Sequence, residues 1–383
     1  MTNPATHTRY LGGQLLRLLP AALVSGAIYL LVRIAPAHPQ TVERVYAQGV
    51  YPAVSAALGA LTGWFSFSLG EALLALGALG VLALITAAIV QAVRARRLWW
   101  RPAVALLRRL MCIGLCLYSL FYALWGFNHF RPSYGELAGL PVAPRDGEAL
   151  CALCVELADQ ANALRAKLPE DAQGCFQATV SARQVCEKAP EAYRAAAATY
   201  PLLSGTLSPV KGVAISEALS HLNITGIYCP YTAEANLNVN APQSTLPLTA
   251  CHELAHRLGF AREDEATFLG YLACTASDDA AFAYSGLFTA LIHAGNALYA
   301  EDPEAYSALW ARYSPALARD MAQNSAYWDQ YQGKAEEIQR AVNDQYLKGN
   351  GQSAGVKSYG MVVDLLLALR AEAGALPTPA ALS

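Results

Sequence analysis

Three long apolar stretches in the first third of the chain limit its possible folds more than any other feature. Leu18–Ala35 is interrupted only by Arg33 near its end. Leu69–Val93 carries one acid, Glu71, at its margin. Leu110–Phe127 runs into an aromatic exit, Trp125-Gly126-Phe127-Asn128-His129-Phe130. A helix of such length crosses the hydrocarbon core of a bilayer, whereas apolar helices of soluble cores are usually shorter. Arg33 can snorkel to the boundary, and the aromatic exit suits a membrane interface. No small-residue cleavage site precedes Pro36, which argues against a removable leader. The expectation is three transmembrane helices, at about 18–35, 69–93 and 110–127, with two spans and an interfacial helix as the alternative.

Charge placement sets the expected orientation. Arg94, Arg96, Arg97, Arg101, Arg108 and Arg109 lie between the second and third stretches, and Arg9 and Arg17 precede the first. Basic loops stay in the cytoplasm, so the outer loop 36–68 and everything after Phe130 are expected outside the cell membrane. The outer loop has Gly, Tyr, Pro and Trp but few charges, and it is expected to fold onto the bilayer surface or the outer domain. With 55% hydrophobic and 15% charged residues the chain is rich in apolar residues for a soluble protein, and a formal charge of −2 supports no nucleic-acid partner.

The chemistry sits at His252-Glu253-Leu254-Ala255-His256. Residues four apart stack on one face of a helix, so both imidazoles can grip one metal ion, with Glu253 placed to hold and deprotonate a water there. The approach Leu246-Pro247-Leu248-Thr249-Ala250-Cys251 is apolar and has Pro where a first turn tolerates it, so the helix begins near Pro247. Gly259 lies three residues beyond His256 and can take positive φ, letting the chain turn back beneath the metal. No histidine near in sequence completes the set. Carboxylates do arrive, in Glu263-Asp264-Glu265. Two histidines, a glutamate and water form a known catalytic zinc set. Glu263 is preferred as ligand because it shares a helix face with Ala266, Thr267 and Gly270, small residues that allow close approach. Glu265 shares its face with Phe268, Leu269 and Leu272, and Glu265 or Asp264 remains open as the ligand.

Upstream, Leu237 and Val239 alternate with asparagines in Glu234–Asn240, which predicts a half-buried strand whose free edge can bind an extended substrate. The outer part also carries helical periodicity over 146–167, 190–200, 280–299, 303–313, 326–346 and 359–373, and its last residues, 376–383, are expected to be disordered. Seven cysteines fall in this part. Cys175 and Cys186 are the easiest pair to imagine in an oxidising exterior, and Cys251 faces away from the metal by helical geometry.

Several segments together resemble an uncharacterised bacterial membrane-anchored family. They are Glu43-Arg44-Val45-Tyr46, Gly49-Val50-Tyr51-Pro52, Phe67-Ser68-Leu69-Gly70-Glu71, Trp125-Gly126-Phe127-Asn128, Arg131-Pro132, the region from Cys251 to Cys274, and Ser358–Leu366. The family carries a domain of unknown function with a zincin-type motif, and the resemblance covers nearly the whole chain. It implies a zinc metallopeptidase without naming a substrate. Carried over, His252, Glu253 and His256 match the motif, and Glu263 stands where a Glu-x-x-Ala motif places its acid. Thr267 departs from the Asn or Asp frequent in related motifs, leaving open which group orients a metal histidine.

The combined expectation is a mainly α protein. Residues 1–130 form a membrane domain with three transmembrane helices, and residues 131–375 form a zincin-like α+β extracytoplasmic domain with a small sheet. Zn2+ held by His252, His256 and Glu263, with Glu253 as general base, would hydrolyse a peptide or protein substrate beside the lipid bilayer. Tyr359, His293 and Tyr271 are the candidates for a donor to the oxyanion. A non-catalytic zinc-binding sensor and a zinc amidase acting on a cell-wall component are the rival readings, and retention of Glu253 argues against the sensor.

Overall fold

In chain order the apolar first third folds as α1 (Pro4–Ile34), α2 (Tyr51–Thr62), α3 (Leu69–Ala95) and α4 (Trp100–Leu124). The structure, a computed structural model, describes residues 4–143 and 146–382, without the side chains of residues 4–6, 358 and 359. Among the described residues three helices, α1, α3 and α4, are long and apolar enough to cross a membrane. The third starts earlier than its apolar pattern. Arg101, Arg108 and Arg109 are helical, and the turn between α3 and α4 shrinks to Arg96–Trp99.

Helices α1 and α4 run parallel. The Tyr10 hydroxyl donates to Arg101 O at 2.8 Å, and further along the Ser25 hydroxyl bonds Leu115 O at 3.0 Å and the Ser119 hydroxyl at 2.9 Å. Small hydroxyl residues satisfy each other here where no water is available. Because α1 and α4 point the same way, the loop 36–68 and everything after Leu124 emerge at the same end. That loop is helical, with a nine-residue π-helix, Val42–Val50, leading into α2.

The remainder is mainly helical around a small mixed sheet. The elements are α5 (Gly147–Arg165), α6 (Ala182–Ala197), β1 (Lys211–Gly212), β2 (Gly226–Cys229), β3 (Glu234–Leu237), α7 (Leu246–Arg257), α8 (Glu263–Ala276), α9 (Ala280–Glu301), α10 (Pro303–Trp310), α11 (Pro315–Asp329), α12 (Lys334–Gly349) and α13 (Val362–Ala373). Leu150, Leu153, Leu157 and Leu164 recur at helical spacing on α5 and are fully buried with Leu254, Phe268 and Phe288 in one core.

Sheet order corrects one expectation. β3 lies between β1, which is parallel to it, and β2, which is antiparallel. Both edges of β3 are therefore occupied, and the outer edges of the sheet belong to β1 and β2. Alternation in 234–240 misled because all four residues of β3 are buried, while Val239 lies past the strand end.

Three helical boundaries also differ. α6 begins at a Ser181–Gln184 capping box and continues through Pro190; the Cys186 carbonyl that proline leaves without its helical donor accepts from Val210 N at 3.1 Å. The stretch 326–346 is broken at Gly333, whose φ of 156° separates α11 from α12. The segment expected to be a disordered tail is packed as far as Leu382: Leu376 is buried and its N–H donates to Glu156 of α5 at 3.0 Å. Cys175 and Cys186 are free thiols.

Candidate metal centre

Helix α7 carries both histidines. Pro247 occupies its first turn, and apart from His252 all of its residues are buried. Both imidazoles face α8, His256 buried and His252 partly open to solvent. The His252 Nε2 and His256 Nε2 atoms are 3.1 Å apart, and Glu263 Oε2 lies 3.1 Å from the first and 3.5 Å from the second. Bonds of about 2.0–2.1 Å to a tetrahedral zinc put ligand atoms roughly 3.3 Å apart, so this triangle fits one face of such a site. These three residues form the group whose donor atoms could hold one metal ion.

Each ring is also presented with the right nitrogen. The Thr267 hydroxyl donates to Glu263 O at 2.9 Å, so its remaining lone pairs accept from His252 Nδ1 at 3.1 Å. His256 Nδ1 donates to Phe260 O at 2.8 Å. With the protons on Nδ1, both Nε2 lone pairs point at the shared space. Thr267 therefore takes the orienting role that its departure from the family pattern had left open.

Gly259 and Gly270 bring Glu263 into range. Gly259 has φ 88°, the left-handed turn after the metal helix. A methyl group on Gly270 would sit 3.2 Å from His252 N and 3.3 Å from Leu248 O, so α8 lies directly on α7 there. The neighbouring acids point elsewhere: Glu265 accepts from Tyr134 N at 2.7 Å and lies 3.8 Å from Arg262.

Electrostatics follow from a charge cluster out of water. Burial and then the histidines act on Glu263 in opposite senses, and the histidines win, holding its carboxyl well below the usual range. Burial disfavours a charge on His256, but the Glu263 carboxylate beside it lifts its pKa to about 9. Burial lowers His252.

Glu253 sits behind the cluster, 4% exposed, and burial pushes its carboxyl up to about 8. The Tyr228 backbone N–H donates to it, while its Oε2 is buried with no hydrogen-bond partner among the described residues. A buried oxygen left unpaired costs free energy unless something else, such as a water, satisfies it. Strand β2 runs against this carboxylate. A methyl group on Gly226 would lie 2.6 Å from Glu253 Oε1 and 2.7 Å from its Cγ. Gly226→Ala is therefore expected to displace the carboxylate and cost about 1–3 kcal/mol of stability with bound metal unchanged. Thermal unfolding at the parent's temperature would remove β2 from contact with Glu253.

Membrane-proximal residues complete the surroundings; Glu43, Tyr51, Trp125 and Arg131 fall in segments that carry the family resemblance, although the sequence assigned them no role at the metal helix. The last carbonyls of α7 lack helical donors. The Trp125 indole N–H, one residue past α4, donates to His256 O at 2.9 Å, and the Tyr51 hydroxyl donates to Arg257 O at 2.7 Å. Arg131 donates to Gly259 O at 2.8 Å while its other nitrogens bind Glu43 of the π-helix at 2.6 and 3.0 Å. His129 Nε2 meets the Tyr346 hydroxyl at 3.1 Å, and the charge on Glu263 reaches both residues. Their segments pointed to the family and, at Trp125–Phe130, to a membrane interface, but not to the end of the metal helix. Of the three sequence candidates for an oxyanion donor, His293 on α9 lies within electrostatic reach of His252. Tyr271 is buried nearer Tyr200 and Glu156, and the Tyr359 side chain is outside the described residues.

Fold and site together define a multi-pass membrane protein with a His/His/Glu cluster that could hold a metal ion. The chain belongs to the family described as protein of unknown function (DUF3810), which matches residues 46–367. That range takes in α2, α3, α4 and the whole cluster. No curated protein and no solved structure matches the chain.

Proposed function

We propose that this protein is a membrane-anchored zinc peptidase with a zincin-like catalytic domain, residues 131–375, on the outer face of the cell membrane. The observation that carries the reading is the ligand triangle of 3.1, 3.1 and 3.5 Å beside a buried Glu253 whose Oε2 has no partner. A zinc ion held by His252, His256 and Glu263 would supply Lewis acidity and make water a nucleophile near neutral pH. Glu253 takes the proton from the attacking water and returns it to the leaving amine. The outer edge of β2, beyond the bond its Tyr228 N–H makes to Glu253, aligns an extended chain by main-chain hydrogen bonds. Orientation rests on the arginines in and around the α3–α4 turn, from Arg94 to Arg109, which favour the cytoplasm.

The test uses the whole chain in detergent, because α2 and the α4 exit hold the metal helix. About one zinc per chain is expected, lost by at least an order of magnitude in affinity in His252→Ala, His256→Ala and Glu263→Ala when measured by elemental analysis after dialysis. A quenched-fluorescence peptide library supplies the substrate. Parent protein that binds no divalent metal would end the metal reading, and loss of metal in Glu265→Ala but not in Glu263→Ala would reassign the third ligand.

A further inference from the structure

Helix α12 turns the usual amphipathic arrangement around. The face it lays on the protein is polar, with Glu336, Gln339 and Asn343 partly buried beside Leu347. Its apolar stripe points away: Ile338 is 65% exposed and Val342 62%, and Tyr346 follows one turn later at 38%. A surface helix of a soluble domain buries such a stripe, so an exposed one marks a surface that something apolar covers.

The page identifies what covers it, through the partner Tyr346 already has. Its ring lies 6.2 Å from that of Phe121, one turn inside the end of the membrane helix α4. Two more bonds fix this level. The Tyr122 hydroxyl, also on α4, donates to Asn350 at the end of α12 at 2.9 Å, and the Tyr231 hydroxyl donates to Leu117 O at 3.2 Å. The stripe thus ends against the part-buried ring of Phe121, next to Leu117 and Leu120, which α4 leaves exposed. Other exposed apolar groups stand at the same height. Trp64, 88% exposed, and Phe67 precede the first residue of α3, and Ile215 N donates to Glu71 in its first turn at 2.9 Å.

We infer that α12 is an interfacial helix whose Ile338–Val342–Tyr346 stripe sits in the boundary between lipid headgroups and acyl chains, so that the adjacent site takes polypeptide still tethered to the same bilayer. An apolar stripe beside a span, with charges on the remaining exposed face, matches the physics of helices lying in the membrane plane. The second half of the inference rests on the peptidase reading. It follows from position: Trp125, one residue past α4, holds the carbonyl of His256, and Tyr346 hydrogen-bonds His129 beside it.

The experiment reconstitutes the full chain in phosphatidylcholine vesicles containing a phospholipid with a photoactivatable diazirine in its acyl chain. Tryptic peptides 335–340 and 341–348 carry the stripe. Both are expected to gain lipid adducts, as α3 and α4 do, and Ile338→Glu/Val342→Glu is expected to lose them while keeping its bound metal. Labelled membrane helices with an unlabelled α12 would overturn the lipid seat, as would α12 cross-linked to a second chain in place of lipid. In a second arm, a quenched peptide on a lipid anchor is compared with the same peptide free in solution. The anchored form is expected to be cleaved at least about tenfold faster at equal bulk concentration. Equal rates overturn the tethered substrate. Cleavage of neither peptide with α12 labelled overturns the peptidase reading, and the substrate class with it, while the lipid seat stands.

Discussion

Glu253→Gln is expected to keep its bound metal and lose hydrolysis, with kcat down by about 10²–10⁴-fold. The amide is isosteric with the carboxyl, so the buried pocket between α7 and β2 stays filled. Its nitrogen cannot accept a proton from water, which removes the base without disturbing His252, His256 or Glu263. Elemental analysis beside a peptide-cleavage assay separates the two effects. The prediction also discriminates between classes, since a zinc-binding sensor would be indifferent to this acid. A Gln variant that cleaves as fast as the parent would end the proposed mechanism.

Arg131→Met should produce the largest loss of stability. The guanidinium and its partner Glu43 are 9% and 6% exposed, and the same side chain holds Gly259 O in the turn between the metal helix and α8. Removing the cation leaves Glu43 buried and unpaired, which costs about 3–5 kcal/mol. Thermal unfolding in detergent measures this, and metal affinity should fall with it because the turn that delivers Glu263 loosens. Glu43→Gln/Arg131→Met removes both charges and should recover part of the loss. A single variant as stable as the parent would show that the outer loop does not brace the site.

The bracing changes how the chain divides. Composition separates a membrane part from an outer part near Phe130, and that boundary is visible in hydropathy alone. Yet Tyr51 and Trp125 bond the last carbonyls of the metal helix from the membrane side of the boundary, and Glu43 on that side anchors Arg131, which holds Gly259 O in the turn beyond the helix. An outer fragment beginning at Arg131 would leave the carbonyls of His256 and Arg257 without these donors.

Membrane helices and metal helix were legible in the sequence because each depends on local repetition. An apolar run long enough to cross a bilayer needs no partner to be recognised, and two histidines four residues apart share a face in any helix. Gly259 was legible too, since its positive φ answers a local need. Glu263 rather than Glu265 comes beside the two histidines for a similar reason, as helix period puts the small residues at 266, 267 and 270 on its face.

What the sequence determined by itself, then, is the set of elements whose period is written in a few neighbouring residues: three spanning helices, and a helix presenting His252, Glu253 and His256 together. Tertiary structure alone decided the rest. It put β3 in the middle of the sheet and β2 at its edge, made Thr267 the orienting group for His252, and set Tyr346 and Trp125 beside the cluster. Those outcomes depend on contacts between residues far apart in the chain, where burial and unmet hydrogen bonds, rather than spacing, select the partner.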